Sequence, residues 1–167
     1  MDLTQIPIIG KLFEMSRDFA AEGILQRVVV YGVWYLVAVL LAGLLVKALG
    51  WYTYLGIGGT LLVGILFFVV ALIGIDPENE YTKADVIALF VLALIMPVIV
   101  WALAAASTAA VAQVASPLVL MADAAAAKAA EGVATPAASA LAQYLGNVMM
   151  HSGALFFAMG LKYVITE

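Results

Sequence analysis

The sequence contains no cysteine and only one histidine, His151, among its 167 residues. Without cysteine the chain forms no disulfide, offers no thiolate to a metal and has no cysteine nucleophile. A metal site needs several nitrogen, sulfur or carboxylate ligands in one place, so a lone histidine predicts none. No phosphate-binding loop or redox-cofactor motif occurs either. We therefore expect no metal, no cofactor and no enzymatic activity.

Charge is also scarce, because only 11% of the residues are charged and 66% are hydrophobic. A soluble domain of this size carries about 25% charged residues. Most of the surface must therefore face lipid rather than water. The seven lysines and arginines are scattered and the net charge is −4, so we expect no nucleic-acid partner.

Long apolar runs predict four transmembrane helices, at about residues 28–46, 55–75, 84–104 and 145–162. At ~1.5 Å rise per residue, roughly 20 residues cross the ~30 Å hydrocarbon core. The predicted fold is an all-α integral membrane protein over residues 28–165, with four helices in an antiparallel bundle. The fourth run is the shortest and the most polar.

Lysines and arginines predict the orientation of these helices. With the termini inside, five cations lie on the inner side and two on the outer side. This asymmetry places both termini in the cytoplasm, and we expect a prokaryotic inner membrane. Tyrosine and tryptophan prefer the headgroup level, which predicts that Tyr31, Trp34 and Tyr35 lie there.

Residues 1–27 form a separate N-terminal segment, which we expect to be retained rather than cleaved. From residue 8 to residue 20 one helical face carries apolar residues and Ser16, and the other carries Lys11, Glu14, Arg17 and Asp18. Such a helix typically lies in the membrane interface. The alternative is a docking helix for a partner, which would use the same apolar face.

The connection before the last span, about residues 105–142, is rich in alanine and is too long to be an unstructured loop. We expect one or two helices there, on the outer surface, available to a partner. The connection before the third span is acidic. Its Thr82 and Asp85 form a T-x-x-D capping box, which is favoured over a calcium loop because the turn glycine and terminal glutamate of such a loop are missing.

Glycine and polar residues mark two helices as packing surfaces. In the second span Gly56, Gly59 and Gly64 allow a neighbouring helix to approach closely. In the last span the glycines recur every seven residues and form one groove, and three polar residues form an adjacent stripe. The groove consists of Gly146, Gly153 and Gly160, and the stripe of Gln143, Asn147 and His151. Both faces should contact protein. Pro97 should kink the third span near Ala93.

Two interpretations of His151 stay open. Interhelical hydrogen bonding accounts for the stripe, whereas a chemical role would make His151 a proton carrier, a metal ligand or a quinone contact. For the whole chain the leading hypothesis is a structural or accessory subunit of a membrane complex of secretion, conjugation or respiratory type. Its partners would be other membrane subunits or copies of itself. The alternative is an oligomeric channel or transporter for a small solute, and a lipid or quinone site between helices is a third possibility.

Overall fold

The computed structural model describes residues 7–50, 57–72, 82–106 and 136–166, and these residues are almost entirely helical with no strand. The helices are α1 (Pro7–Ala21), α2 (Ile24–Leu49), α3 (Ile57–Phe67), α4 (Lys83–Ala106) and α5 (Pro136–Thr166). A π-helical segment, Phe68–Leu72, directly continues α3. The all-helical prediction is confirmed for this part of the chain.

Three of the described helices are long and apolar enough to cross a membrane. They are Ile24–Leu49, Lys83–Val100 and Gln143–Ile165, and they correspond to the first, third and fourth predicted spans. A chain with three such helices is a multi-pass membrane protein by length and composition.

The second predicted span is described only in part. The described helix has 11 α-helical and 5 π-helical residues, from Ile57 to Leu72. At ~1.5 Å per residue this described part rises about 24 Å of the ~30 Å hydrocarbon core. Residues 55, 56 and 73–75 of the prediction lie outside the described residues, as does Gly56.

Helix α5 begins earlier than predicted. It starts at Pro136, where proline costs no backbone bond because the first N–H groups of a helix have no intrahelical acceptor. Residues 136–142 of the predicted alanine-rich connection therefore belong to α5. Residues 107–135, which make up most of that connection, lie outside the described residues.

Helix α2 packs against α3 and α4, and α5 packs against the same two helices. The largest buried side chains in this core include Tyr35, Phe67, Leu92 and Leu155. Arg27 of α2 contacts Asp85 of α4, and a Cβ on Gly32 would lie 3.2 Å from Leu92 Cδ1. The later residue of α2 contacts the later residue of α4, so the two helices run in the same direction.

Helix α1 folds back along α2. The rings of Phe13 and Trp34 stack at 4.9 Å, and Trp34 Nε1 donates a hydrogen bond to Ser16 Oγ at 3.2 Å. Nearer the turn, Arg27 Nε donates to the Ala20 carbonyl oxygen at 3.2 Å. The pairing of 13 with 34 and 20 with 27 makes the two helices antiparallel.

The apolar side of α1 is divided into two faces. Phe13 and Ala20 are buried against α2, but a second stripe stays exposed, formed by Ile8, Leu12, Met15 and Phe19. Leu12 and Phe19 were predicted on the same face as Phe13. The predicted charged side, with Lys11, Glu14, Arg17 and Asp18, is exposed.

Three aromatic residues that are predicted at the headgroup level are buried between the described helices, and their depth in the membrane stays a prediction. Tyr31 is 3%, Trp34 9% and Tyr35 1% exposed. Their polar tips bond to side chains of the same chain. An aromatic ring with a polar tip suits a helix interface as well as a headgroup region, provided that the interface supplies a partner.

Candidate functional site

The carboxylate of Asp85 is buried at the start of α4, only 2% exposed, and four donors surround it. Its Oδ2 accepts from the Thr82 backbone N–H at 2.9 Å and from Thr82 Oγ1 at 2.6 Å. These contacts are the predicted T-x-x-D cap, with the acid satisfying a backbone N–H that has no partner within the helix. The remaining oxygen is free to face α2.

Asp85 Oδ1 accepts from Arg27 Nη1 at 2.5 Å and from Tyr31 OH at 3.0 Å, both on α2. Arg27 also donates to Thr82 Oγ1 and to the Ala20 carbonyl. One guanidinium therefore joins the end of α1, the start of α2 and the cap of α4. Sequence reasoning found the cap but not this pairing across 58 residues of chain.

A second polar contact lies deeper between the helices. Tyr35 OH of α2 and His151 Nδ1 of α5 are 2.8 Å apart. The two rings meet edge to face, with centroids 5.6 Å apart. The predicted polar stripe is thus joined to α2 at His151.

Phe67, the last α-helical residue of α3, lies against both tyrosines of α2. Its ring centroid is 5.4 Å from that of Tyr35 and 6.4 Å from that of Tyr31, and both contacts are edge-on. Phe67 is fully buried, and the π-helical segment follows it immediately. Such π-helical turns occur mostly as single irregular turns and often at functional sites.

The other two residues of the polar stripe differ in environment. Asn147 lies one turn before His151, and its Oδ1 is buried without a hydrogen-bond partner among the described residues. Gln143, one turn before Asn147, is exposed. The stripe therefore leads from an exposed end to the Tyr35–His151 contact.

The glycines predicted as packing residues lie in three kinds of environment. Gly59 and Gly146 are buried. A Cβ on Gly64 would lie 2.8 Å from both the Ala154 carbonyl oxygen and Phe157 Cδ1, so α3 and α5 are in close contact there.

The outer glycines of α5 have more space. Among the described residues, a Cβ on Gly153 would meet only the Thr60 methyl, at 3.3 Å, and a Cβ on Gly160 would meet nothing within 4 Å. Both residues are exposed, together with Met149 and Phe156 on the same side of α5. The predicted glycine groove thus lies against α3 at Gly153 and faces away from the other described helices at Gly160.

Pro97 is buried inside α4, which continues on both sides of it. Proline removes the hydrogen bond to the carbonyl four residues earlier and crowds that turn. Tyr144 OH of α5 donates to the Leu94 carbonyl oxygen in this turn, at 2.8 Å. The carbonyl that loses its donor is that of Ala93, so the Tyr144 contact lies at the next residue of the same turn. The kink itself stays a prediction.

We expect Tyr144→Phe to lower the free energy of unfolding by about 0.5–1 kcal/mol, the usual net contribution of one such hydrogen bond. The measurement is denaturant unfolding in mixed detergent–lipid micelles. Tyr163→Phe is the matched control, since Tyr163 is exposed on the same helix, and its stability should not change. Equal losses in the two variants would contradict the role of the Leu94 contact.

Among the described side chains, one hydrogen-bonded cluster surrounds Asp85 and another joins Tyr35 to His151. No group of three histidine, aspartate or glutamate side chains gathers within the described ranges to hold a metal ion. Arg27, Tyr31 and Tyr35 recur every four residues on α2, as Gln143, Asn147 and His151 do on α5. That common spacing was the available signal that α2 carries a second polar stripe. Comparisons with protein families, with curated proteins and with solved structures find no match to the chain.

Proposed function

We propose that this protein is a structural or accessory subunit of a multi-protein membrane complex, of secretion, conjugation or respiratory type. It works by helix packing, without catalysis or a cofactor. Its own polar groups are largely engaged with one another, as in the Arg27–Asp85 and Tyr35–His151 contacts. What stays open on the chain is a helix surface for other subunits or for copies of itself.

The proposed architecture has four crossings in an antiparallel bundle. The short α3 crosses with its neighbouring residues, and the common direction of α2 and α4 supports an alternation of up and down helices. Both termini then lie on one side, which we assign to the cytoplasm of a prokaryotic inner membrane from the distribution of cations. Helix α1 lies in the interface, with its exposed stripe toward lipid and its charged side toward water.

The outward face of α5 is the observation that carries the proposal. In the apolar 18-residue window of Gln143–Ile165, 22% of the residues are buried in the chain, against 50% and 44% in the windows of the other two spans. Its mean hydropathy is also the lowest of the three. A helix facing mainly lipid should be the most apolar one. Small residues such as Gly153 and Gly160 favour close contact between membrane helices.

Gly160→Leu should abolish association with the partner, or with other copies, while the chain itself stays folded. A Cβ at this position meets nothing within 4 Å among the described residues, yet a leucine side chain would hold another helix away. Native mass spectrometry of the protein gently extracted from its own membrane measures the association. Val33→Leu, on the exposed side of α2, is the control and should leave association intact.

Two results would contradict this proposal. The first is a wild-type protein that is monomeric and free of other subunits after gentle extraction. The second is a Gly160→Leu variant that retains every partner of the wild type.

A second candidate function is an oligomeric channel or transporter for a small solute. One observation favours it: polar side chains of α2 and α5 meet deep between the helices, at Tyr35 and His151. Ionisable side chains inside a membrane often mark a pathway.

A further inference from the structure

Two polar stripes meet end to end inside the protein. The stripe on α2 consists of Arg27, Tyr31 and Tyr35, and the stripe on α5 of Gln143, Asn147 and His151. Within each stripe the residues are four apart, so they drift by only about 40° per step and stay on one side of their helix. Tyr35 and His151 join the stripes at 2.8 Å.

The joined stripes have the length of a membrane crossing. Eight residues of helix rise about 12 Å, and α2 and α5 run in opposite directions in the proposed antiparallel bundle, so the two stripes together cover about 24 Å along the helices. The long side chains at both ends extend this distance toward the ~30 Å of the hydrocarbon core. Polar groups therefore follow one another nearly from one membrane surface to the other.

The residues at the two ends of this line of polar groups are at least partly exposed to solvent, and those in its middle are buried. Gln143 is exposed at one end, and at the other the Arg27 side chain is 25% exposed. Between them Tyr31 and Tyr35 are buried, and the Phe67 ring lies against both. No hydrated solute passes such a contact, but a proton can move where hydrogen bonds form.

The groups in the line are suited to carry protons. When a proton reaches the oxygen of Tyr35, the hydroxyl passes its own proton to Nδ1 of His151, and the ring releases the proton on Nε2. One proton enters, one leaves, and both groups end neutral. On the Arg27 side Tyr31 OH donates to Asp85 Oδ1, which continues the line toward the surface.

The buried amide of Asn147 is a second, independent indication of a proton route along the α5 stripe. Its buried Oδ1 has no partner among the described residues, although a buried acceptor without a donor is costly between membrane helices. A water molecule there would satisfy the amide and lie one turn from His151, where it could take up the released proton. Gln143 follows one turn further on, at the exposed end.

We propose that this chain conducts protons between its Gln143 end and its Arg27–Asp85 end through the two stripes, with Phe67 as the barrier between Tyr35 and Tyr31. The π-helical segment that follows Phe67 departs from the regular backbone hydrogen bonding of α3 next to this barrier. The inference names the solute of the second candidate function, the channel or transporter, and is independent of the first.

The test measures proton flux into liposomes that contain the purified full-length protein and a trapped pH-sensitive dye, driven by a potassium diffusion potential. Wild-type vesicles should acidify at least ten-fold faster than empty ones. Tyr35→Phe keeps the buried ring but removes the hydroxyl, and His151→Leu removes the imidazole, so each should lower the flux at least ten-fold. Phe67→Leu should raise it by removing an aromatic ring from the barrier.

Tyr163→Phe is the matched control, because it removes a tyrosine hydroxyl that lies exposed outside both stripes, and its flux should equal that of the wild type. Circular dichroism and gel filtration check that every variant is folded. If Tyr35→Phe is misfolded, His151→Leu and Phe67→Leu decide the outcome. Wild-type flux equal to that of empty vesicles, or unchanged in these variants, overturns the inference.

Release of trapped glycerol from the same vesicles separates this inference from the second candidate function. Glycerol release without a proton flux that depends on Tyr35 would support a solute channel and overturn the proton route. Proton flux without glycerol release supports the proton route. Absence of both fluxes overturns both proposals together.

Discussion

Arg27→Met should lower the free energy of unfolding by about 3 kcal/mol, the lower end of the range for removing one partner of a buried ion pair. The Asp85 carboxylate is 2% exposed and loses its only cationic contact among the described residues. Thr82 and Tyr31 still donate to it, and Arg27 is partly exposed, so water replaces some of the lost interaction. The effect is measured by denaturant unfolding in detergent–lipid micelles.

A double variant distinguishes loss of the pair from loss of packing. Asp85→Asn removes the charge but keeps the size of the side chain and an oxygen that can accept from Thr82. Added to Arg27→Met, it should restore a measurable part of the lost stability, because no charge is then left buried. Arg17→Met, at an exposed position of α1, is the control and should be neutral within about 0.5 kcal/mol.

Local patterns were sufficient to predict most of the described helices and the cap of α4. The apolar runs near residues 28–46 and 84–104 correspond to α2 and α4, and the T-x-x-D spacing of Thr82 and Asp85 identifies the start of α4. These features depend on neighbours in sequence, so a single chain contains the information. The change from α-helical to π-helical turns at Phe68 was not predicted, because an apolar run gives no sign of it.

The polar contacts between helices could not be derived in the same way. A tyrosine near the end of an apolar run suits a headgroup and a buried carboxylate equally well, and only the position of Asp85 on α4 decides for Tyr31. The pairing of Tyr35 with His151 joins residues 116 positions apart. Periodicity places residues on one face of a helix but does not say which helix that face meets.

The glycine positions illustrate the same limit. Spacing alone treats Gly64, Gly153 and Gly160 as equivalent small residues at helix surfaces. In the structure Gly64 touches the backbone of α5, whereas Gly160 faces open space. A Cβ at the two positions therefore has opposite consequences, and this difference can be measured directly.

Gly64→Ala should destabilise the protein by about 1–3 kcal/mol, the usual effect of overpacking a closely packed contact. Alanine favours a helix over glycine by roughly 1 kcal/mol, so propensity alone would stabilise the variant. The new Cβ, however, would lie 2.8 Å from the carbonyl oxygen of Ala154, which is backbone and cannot rotate away. Helix α3 must therefore move away from α5, and the lost packing exceeds the gain in propensity.

Gly160→Ala is the matched control for this substitution, with the same chemical change on the partner helix. Its Cβ meets nothing within 4 Å in the described part of the chain, so helix propensity dominates and the variant should be neutral or up to about 1 kcal/mol more stable. Denaturant unfolding of both variants in the same micelles gives the comparison. If Gly64→Ala were as stable as Gly160→Ala, the close contact between α3 and α5 at Ala154 would be contradicted.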